Sequence, residues 1–240
     1  MAEDYDPREI GSGRAGAADG GWPDFDGEGR PVHFTDNAVL PDPREHCPTL
    51  AGARVVLEPL LVSHVDELWE VGKDPALWRF TPGRVTTRDE MARYVGDALA
   101  ARENGTAIPF VTRLRAEGGR TRVVGSTRFG NIDRANRRME IGWTWIGVPW
   151  QRTFVNTEAK YLMLRHAFED LGALRIELKT DSLNVRSREA ILRLGAVQEG
   201  VFRNHLITQS GRVRHSVYFS IVQEDWIRVR DRLESLIAGG

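Results

Sequence analysis

The chain has 240 residues, of which 41% are hydrophobic and 28% charged, and its formal net charge is −1. This is the composition of an ordinary globular protein, and no apolar run approaches the roughly 20 residues that span a bilayer. The acidic N-terminus has no apolar segment of the kind that secretory signals contain. Cys47 is the single cysteine, which excludes an intramolecular disulfide and a multi-cysteine zinc site. These absences predict a cytoplasmic protein with no membrane partner and no metal.

The charge is unevenly distributed along the chain. Residues 1–50 carry a net charge of −7, and the remaining residues carry +6. The first 50 residues are also rich in Gly, Asp and Pro and lack any apolar period, which predicts an acidic tail that is flexible or packed in extended form. A domain at 51–240 follows. Its mild positive charge suits a polyanionic ligand but falls short of the basic footprint of a nucleic-acid binder, so no nucleic-acid partner is predicted.

The first half of the domain is predicted to contain short strands and two helices. In chain order these are a strand at 54–59, a helix that begins at Ser63, a longer helix that begins at Thr86 or Thr87 and ends at Asn104–Gly105, and strands at 108–114 and 123–129. The glycine pair between the last two strands predicts a tight turn, so these strands should pair antiparallel.

The stretch from Arg138 to Gly172 is the most informative part of the sequence. Its first part is rich in β-branched and aromatic residues and predicts a strand, which is followed by the polar loop QRTFVN. The last part has the apolar spacing of a helix, with Asn156 predicted as its N-cap and Gly172 as its left-handed stop. A strand end therefore meets a helix start, whose free backbone N–H groups attract anions.

The remaining elements follow the same logic. They are a strand at 175–180, a helix that begins at Asn184 or Ser187 and stops at Gly195, a hairpin formed by 197–207 and 213–221, and a final amphipathic helix at 226–237. Three consecutive antiparallel strands followed by strand, loop, helix and strand predict an α/β fold.

The stretch from Glu140 to Ile221 resembles the GCN5-related N-acetyltransferase (GNAT) family, in particular the acetyltransferases of ribosomal-protein N-termini. The resemblance implies a mixed, mostly antiparallel central sheet that is flanked by helices and splayed at its central strands. It also implies acetyl-CoA as cosubstrate, with no metal.

The cofactor-binding residues are implied by the same resemblance. The backbone around Trp145, Ile146, Gly147 and Val148 would hold the pantetheine arm. The pyrophosphate would lie on the loop and helix start formed by Gln151, Arg152, Thr153, Phe154, Val155, Asn156 and Thr157. An ordinary strand–helix turn is the alternative interpretation of this loop.

The loop departs from the family pattern Gln/Arg-x-x-Gly-x-Gly/Ala. Phe154 stands at the first glycine position, and Asn156 stands at the second. An aromatic residue at positive φ would be strained. Either the loop takes another path, in which Arg152 and Thr153 help to bind phosphate, or the affinity for the cofactor is reduced.

The catalytic candidates are also carried over from the family. Asn184-Val-Arg-Ser187 with Gly195 resembles the Asn-x-x-Ala/Ser motif, in which Asn184 would contact pantetheine or acceptor. The position of the usual Tyr acid is Ile191 here, which leaves Ser187, or a water that it holds, to protonate the thiolate. Both residues would also suit simple helix caps.

Glu140 is the only carboxylate between Arg138 and Gln151. Because an amine must lose its proton to attack a thioester, Glu140 is the candidate for accepting that proton. A plain solvent-exposed glutamate is the alternative interpretation.

The implied activity is transfer of an acetyl group from acetyl-CoA to a primary amine of a peptide N-terminus or small molecule, by direct attack in a ternary complex. The protein would act as a monomer or homodimer. Three alternatives remain: a degenerate GNAT domain that binds CoA or another ligand without catalysis, an interaction protein, and an enzyme for a different acyl-CoA.

Overall fold

A computed structural model describes residues 38–239 of the chain. The predicted acidic tail therefore lies mostly outside the described residues, and the division of the chain at residue 50 stays a prediction. Within the described part of that segment, Leu40 is 1% exposed and its backbone N–H donates to the Arg134 carbonyl at 3.2 Å. Residues just before position 50 thus contribute to the core.

Eight strands form one sheet in the order β1-β2-β3-β4-β5-β6-β8-β7. Their bounds are β1 Leu50–Ala51, β2 Val55–Pro59, β3 Ile108–Arg115, β4 Thr121–Asp133, β5 Arg138–Ile146, β6 Arg175–Asp181, β7 Val197–Ile207 and β8 Val213–Val222. Every neighbouring pair is antiparallel except β5 and β6, which run parallel. The predicted mixed, mostly antiparallel sheet is confirmed.

Between residues 38 and 239, five α-helices flank the sheet. Their bounds are α1 Val65–Gly72, α2 Arg88–Glu103, α3 Phe154–Arg165, α4 Val185–Leu194 and α5 Trp226–Ala238. The first helix starts later than predicted, because Ser63 lies inside a preceding 3₁₀ turn, Val62–His64. After α3 the chain continues through the π-helical turn His166–Asp170, and Gly172 has a φ of 66° at the predicted stop.

The two faces of the sheet bury separate apolar clusters. On one face, α3 and α5 cover the larger cluster, in which Leu162, Met163 and Leu164 of α3 are at most 1% exposed. On the other face, α1 and α2 cover the smaller cluster, which includes Trp78 and Trp145. These two helices lie over β3, β4 and the end of β5. Beyond them, the segment that contains Phe80 and Pro82 contacts the β7–β8 hairpin, and an open cleft lies around Glu140, Glu177 and Glu199.

The parallel pair of β5 and β6 is only three residues long. It joins Arg138–Glu140 to Arg175–Glu177, and β5 then continues to Ile146 with no described strand partner on its β6 side. A β-bulge follows at once: β4 residues Ser126 and Arg128 pair with Trp145 and Gly142, and Trp143 between them has a φ of 51°. The central strands therefore splay, as predicted, beginning just beyond Glu140.

Glu158 of α3 connects this helix to the beginning of β2. Its carboxylate is 2% exposed, accepts the Arg54 and Val55 backbone N–H groups at 2.8 and 3.2 Å, and lies 3.5 Å from the Arg54 guanidinium. We expect Glu158→Ala to lower the free energy of unfolding by about 3 kcal/mol, because it leaves the Arg54 and Val55 N–H groups without their acceptor and removes the carboxylate that faces the Arg54 guanidinium. Urea denaturation measures this. The exposed Glu189→Ala on α4 is the control, and equal losses in both variants would contradict the assignment.

Candidate active site

Hydrogen bonds fix the loop after β5 to the sheet at its first residue and to α4 through Gln151. Gly147 donates its N–H to the Val124 carbonyl at 2.8 Å, and the 3₁₀ turn Val148–Trp150 follows. The Gln151 side-chain amide donates to the Ile146 carbonyl at 3.0 Å, and its oxygen accepts from Arg186 at 2.9 Å. Gln151 thus links the end of β5 to the first turn of α4.

The start of α3 differs from the prediction by three residues. Thr153, not Asn156, is the N-cap: its hydroxyl accepts the Val155 N–H at 3.3 Å, so Asn156 already lies within the first turn. The sequence could not distinguish these caps, because both residue types suit the position.

The strain predicted at Phe154 is absent, because the loop places its positive φ one position after Gln151. Arg152 has a φ of 62°, whereas Phe154 is the first helical residue and does not adopt a positive φ. The Phe154 ring is half-buried, with the Arg54 guanidinium 3.6 Å from its centroid. The loop therefore takes another path than a Gly-x-Gly turn, and it leaves the side chains of Arg152 and Thr153 exposed at the helix start.

Four of the predicted cofactor residues have buried side chains that pack in the interior. Trp145 lies 5.5 Å from Trp78, ring to ring, and its indole N–H donates to the Tyr94 hydroxyl at 3.3 Å. The others are Ile146 and Val155, which belong to the larger apolar cluster, and Thr157, whose hydroxyl accepts from Arg193 at 3.0 Å. What this part of the chain offers to a ligand is therefore backbone, together with the exposed side chains of the loop.

Glu140 is buried, and the interpretation as a plain solvent-exposed glutamate is wrong. Its residue exposure is 3%, and its carboxylate pairs with the Lys179 ammonium at 2.8 Å and accepts from the Asn131 amide at 2.7 Å. Met139 and Ile141 on either side point into the larger apolar cluster, so the strand's alternation directs Glu140 to the open face of the sheet.

On that face Glu140 lines a cleft of about 470 Å³. The cleft's charged residues neutralise one another: Arg138 pairs with Glu177, Arg175 with Glu177 and Glu199, and Lys179 with Glu140. Phe202 and Tyr218, whose rings stack at 4.2 Å, form its aromatic wall. The cleft is thus polar, nearly neutral in charge and open to solvent beside Glu140.

Asn184 is the N-cap of α4, as predicted. Its side-chain oxygen accepts the Ser187 N–H at 3.1 Å, and Gly195 ends the helix with a φ of 104°. Both polar side chains are half-buried at the helix start, which follows the carboxyl end of β6. Ile191 is 8% exposed and belongs to the larger apolar cluster. The capping role is shown, and the proposed chemical roles of Asn184 and Ser187 stay predictions.

The structure adds one buried ion that the sequence reasoning missed. Lys160 of α3 is 5% exposed, and its ammonium donates to Thr144 at 2.6 Å and to Thr127 at 3.4 Å. These two hydroxyls are themselves 2.7 Å apart. Burial lowers the pKa of Lys160 to about 7, and the nearby Glu140 charge opposes this shift only in part. One signal was available: the chain has only three lysines among 33 basic residues, and Lys160 is the one that falls inside the predicted helix after the QRTFVN loop.

A second cation was also missed. Arg128 on β4 is 6% exposed, and its guanidinium carbon lies 5.3 Å from the Tyr94 ring and 4.9 Å from the Trp143 ring. Tyr94 also donates to the Trp143 carbonyl at 3.3 Å. Two aromatic faces therefore hold this cation against the β5 bulge. The contact depends on residues from three elements, so no local sequence pattern indicates it.

None of the helices between residues 38 and 239 combines the length and apolar character needed to cross a bilayer. The same residues contain no group of three or more His, Cys, Asp or Glu side chains placed to share a metal ion.

Comparisons with known proteins agree with this architecture. A family model described as an acetyltransferase (GNAT) domain matches residues 54–197. The "Putative ribosomal N-acetyltransferase YdaF" of Bacillus subtilis is 31% identical over 96 residues, which are 40% of this chain and 51% of that relative, so the match spans about half of its length. The "FsC-acetyl coenzyme A-N(2)-transacetylase" of Aspergillus fumigatus is 26% identical over 76% of this chain and 80% of that protein.

A solved structure shows the same fold. The crystal structure of a GCN5-related N-acetyltransferase from Brucella melitensis superposes with a TM-score of 0.75 at 27% sequence identity, and the match covers 84% of this chain and 90% of that one.

The buried Lys160 makes stability depend on pH. Its folded pKa of about 7 lies below the ordinary value of 10.5, so between these values the unfolded chain binds a proton that the folded chain does not. We expect the free energy of unfolding of the wild type, relative to Lys160→Met, to rise by about 1 kcal/mol per pH unit across this window. Urea unfolding from pH 7 to 9.5 measures the difference. The exposed Lys73→Met should show no such trend, and a constant wild-type difference for Lys160→Met would contradict a neutral buried amine.

Proposed function

The chain belongs to the GNAT acetyltransferase family and is an N-acetyltransferase, and we propose that it moves an acetyl group from acetyl-CoA to a primary amine. The acceptor would be a peptide N-terminus or a small-molecule amine, which attacks directly in a ternary complex. The observation that carries the proposal is the splay of β5 and β6 beyond Glu140 and Glu177, with the starts of α3 and α4 at the same end of the sheet.

The residues around the splay fit acetyl-CoA. From Ile141 to Ile146, β5 has no described strand partner on its β6 side, so its backbone is open to a chain-like ligand such as pantetheine. At the end of this segment, α3 begins with exposed Arg152 and Thr153, where the helix dipole and a cation favour a pyrophosphate. Gln151 is committed to Ile146 and Arg186, so we assign it a role in shaping the loop.

The acceptor would approach from the open face of the sheet. The cleft beside Glu140 is wide enough for a peptide end or a small molecule, and its paired charges do not favour one sign of substrate charge. The name of the Bacillus subtilis relative describes that protein as a ribosomal N-acetyltransferase, which supports a protein or peptide amine as the acceptor here.

The acceptor amine must lose a proton, and three carboxylates line the cleft, those of Glu140, Glu177 and Glu199. We assign the role of base to Glu140, which lies on β5 at the beginning of the splay. In the proposed reaction Glu140 takes up this proton, directly or through water, while Lys179 and Asn131 hold the carboxylate in place. Asn184 and Ser187, at the start of α4, would contact the pantetheine or the thioester.

Isothermal titration of acetyl-CoA into the protein tests the cofactor site. We expect binding by the wild type and an affinity about tenfold weaker or more in Arg152→Glu, because reversing this exposed charge replaces a charge-assisted contact with repulsion. Arg228→Glu, at the far end of the domain on α5, is the matched control. Phe154→Gly should bring no gain, since Phe154 does not carry the positive φ. Absence of wild-type binding would sink the cofactor assignment and favour an interaction role.

Glu140→Gln tests the proposed base. The amide keeps the size of the side chain and its place between Asn131 and Lys179 but cannot accept a proton, so we expect turnover to fall about 100-fold with little change in acetyl-CoA affinity. Thiol release with a panel of peptide and small amines, followed across pH, measures this. The acidic limb of the wild-type profile should disappear. Glu199→Gln, in the same cleft, is the control, and an unaltered Glu140→Gln profile would remove Glu140 from the mechanism.

A further inference from the structure

Lys160 is a buried ionisable group, held by two hydroxyls, that the proposed chemistry leaves unused. It lies on the α3 side of β5, opposite the cleft that Glu140 lines. Among the described residues no carboxylate pairs with it, and its two polar contacts are the hydroxyls of Thr144 and Thr127. Burying an ammonium without a counter-ion is costly, and such groups occur mainly where chemistry uses them.

The Lys160 ammonium reaches the splayed part of β5 through its hydrogen bond to Thr144. Thr144 follows the β5 bulge directly, in the part of the strand that has no described partner on the β6 side. Its side chain is half-buried, whereas that of Lys160 is buried. Its hydroxyl accepts from Lys160 and retains a proton of its own. The acceptors for that proton within the described residues are Thr127 at 2.7 Å and the Gly142 carbonyl at a long 3.4 Å. Thr144 can therefore pass a proton from the buried amine toward the opening.

The reaction proposed above needs such a donor. When the amine nitrogen forms its bond to the acetyl carbon, the carbon–sulfur bond breaks and its electron pair stays on sulfur as a thiolate. At the position where the family supplies a tyrosine acid, this chain has the buried, apolar Ile191. The thiolate therefore takes its proton from another group, and the pair of Lys160 and Thr144 is the alternative to Ser187, the donor that the family resemblance implies.

We propose that Lys160, acting through the Thr144 hydroxyl, stabilises the leaving thiolate of CoA and delivers its proton. The inference rests on the proposed function. As the thiolate forms, the Thr144 proton moves to sulfur and a Lys160 proton moves to Thr144, which leaves a neutral amine that regains its proton from solvent. The proton lost by the acceptor amine goes separately to Glu140. The products are the acetylated amine and CoA thiol, and every proton is accounted for. Lys160 is thus a positioning residue that acts through Thr144.

The charged groups around Lys160 are consistent with this role. On β5 the charge that acts on it is Glu140, whose carboxylate is paired with Lys179 of β6. On β4, Arg128 faces away toward Tyr94 and Trp143. On α3, Glu158 is committed to Arg54. None of these groups pairs directly with Lys160, so its protonated form is available to an anion that arrives at the splay.

The test follows the thiol of bound CoA and needs no acceptor. Ultraviolet absorbance of the thiolate is recorded against pH with saturating CoA on the wild type, Lys160→Met, Thr144→Val and Thr127→Val. A free thiol has a pKa of about 8.5. A buried ammonium beside the thiol couples to it and lowers the first of the two pKa values that the pair then shows. We expect the bound thiol to titrate at least about one pH unit lower in the wild type than in Lys160→Met.

The two threonine variants separate the relay from general packing. Thr144→Val should behave like Lys160→Met, whereas Thr127→Val leaves the 2.6 Å contact of Lys160 with Thr144 and should behave like the wild type. If Lys160→Met fails to fold, the inference is tested by the difference in the pKa of the bound thiol between the wild type and Thr144→Val. Bound CoA that titrates identically in the wild type and in Thr144→Val would overturn this inference and leave the proposed function standing. A wild-type protein that binds no CoA in calorimetry would overturn both.

Discussion

The short parallel pair of β5 and β6 is the constraint on which the rest of the molecule depends. A parallel pair requires a crossover, here α3, and the crossover places the start of α3 at the carboxyl end of β5 and the start of α4 at the carboxyl end of β6. Because the pair ends after three residues and a bulge follows, both helix starts face an opening between the two strands. The bulge, with Trp143 at positive φ, turns the later part of β5 by one residue, so Trp145 packs under α1 and α2.

The cleft on the open face is built from charges that cancel. Glu140, Glu177 and Glu199 alternate with Lys179, Arg138 and Arg175, and each carboxylate touches at least one cation. In a cleft of this kind, pairing with a cation offsets the cost of burying a carboxylate such as Glu140 and fixes the carboxylate in place. Selection of an acceptor then depends on shape and on the aromatic wall of Phe202 and Tyr218 more than on net charge.

Sequence patterns predicted the elements well and the site only in part, for physical reasons. Period-2 and period-3.6 hydrophobicity and the glycine stops at Gly172 and Gly195 depend on local geometry, so they could be read from the chain. The N-cap of α3 could not be predicted from the sequence, since Thr153 and Asn156 are both suitable caps and only the path of the loop determines which of them caps the helix. The pairing of Glu140 with Lys179 joins residues 39 positions apart, and the burial of Lys160 depends on hydroxyls contributed by two other strands.

The strand β5 also separates the two ionisable groups that the proposed reaction needs. Glu140 lies on its open face with Lys179, and Lys160 lies on its α3 face with Thr144. In direct contact the two groups would form an ion pair with each other, and each would be less available to the substrate. With a strand between them, the carboxylate lowers the cost of the buried ammonium over a distance without quenching it. Direct acyl transfer removes a proton on the amine side and supplies one on the thiol side, and a splayed strand with a different ionisable group on each face has the geometry that this division of roles requires.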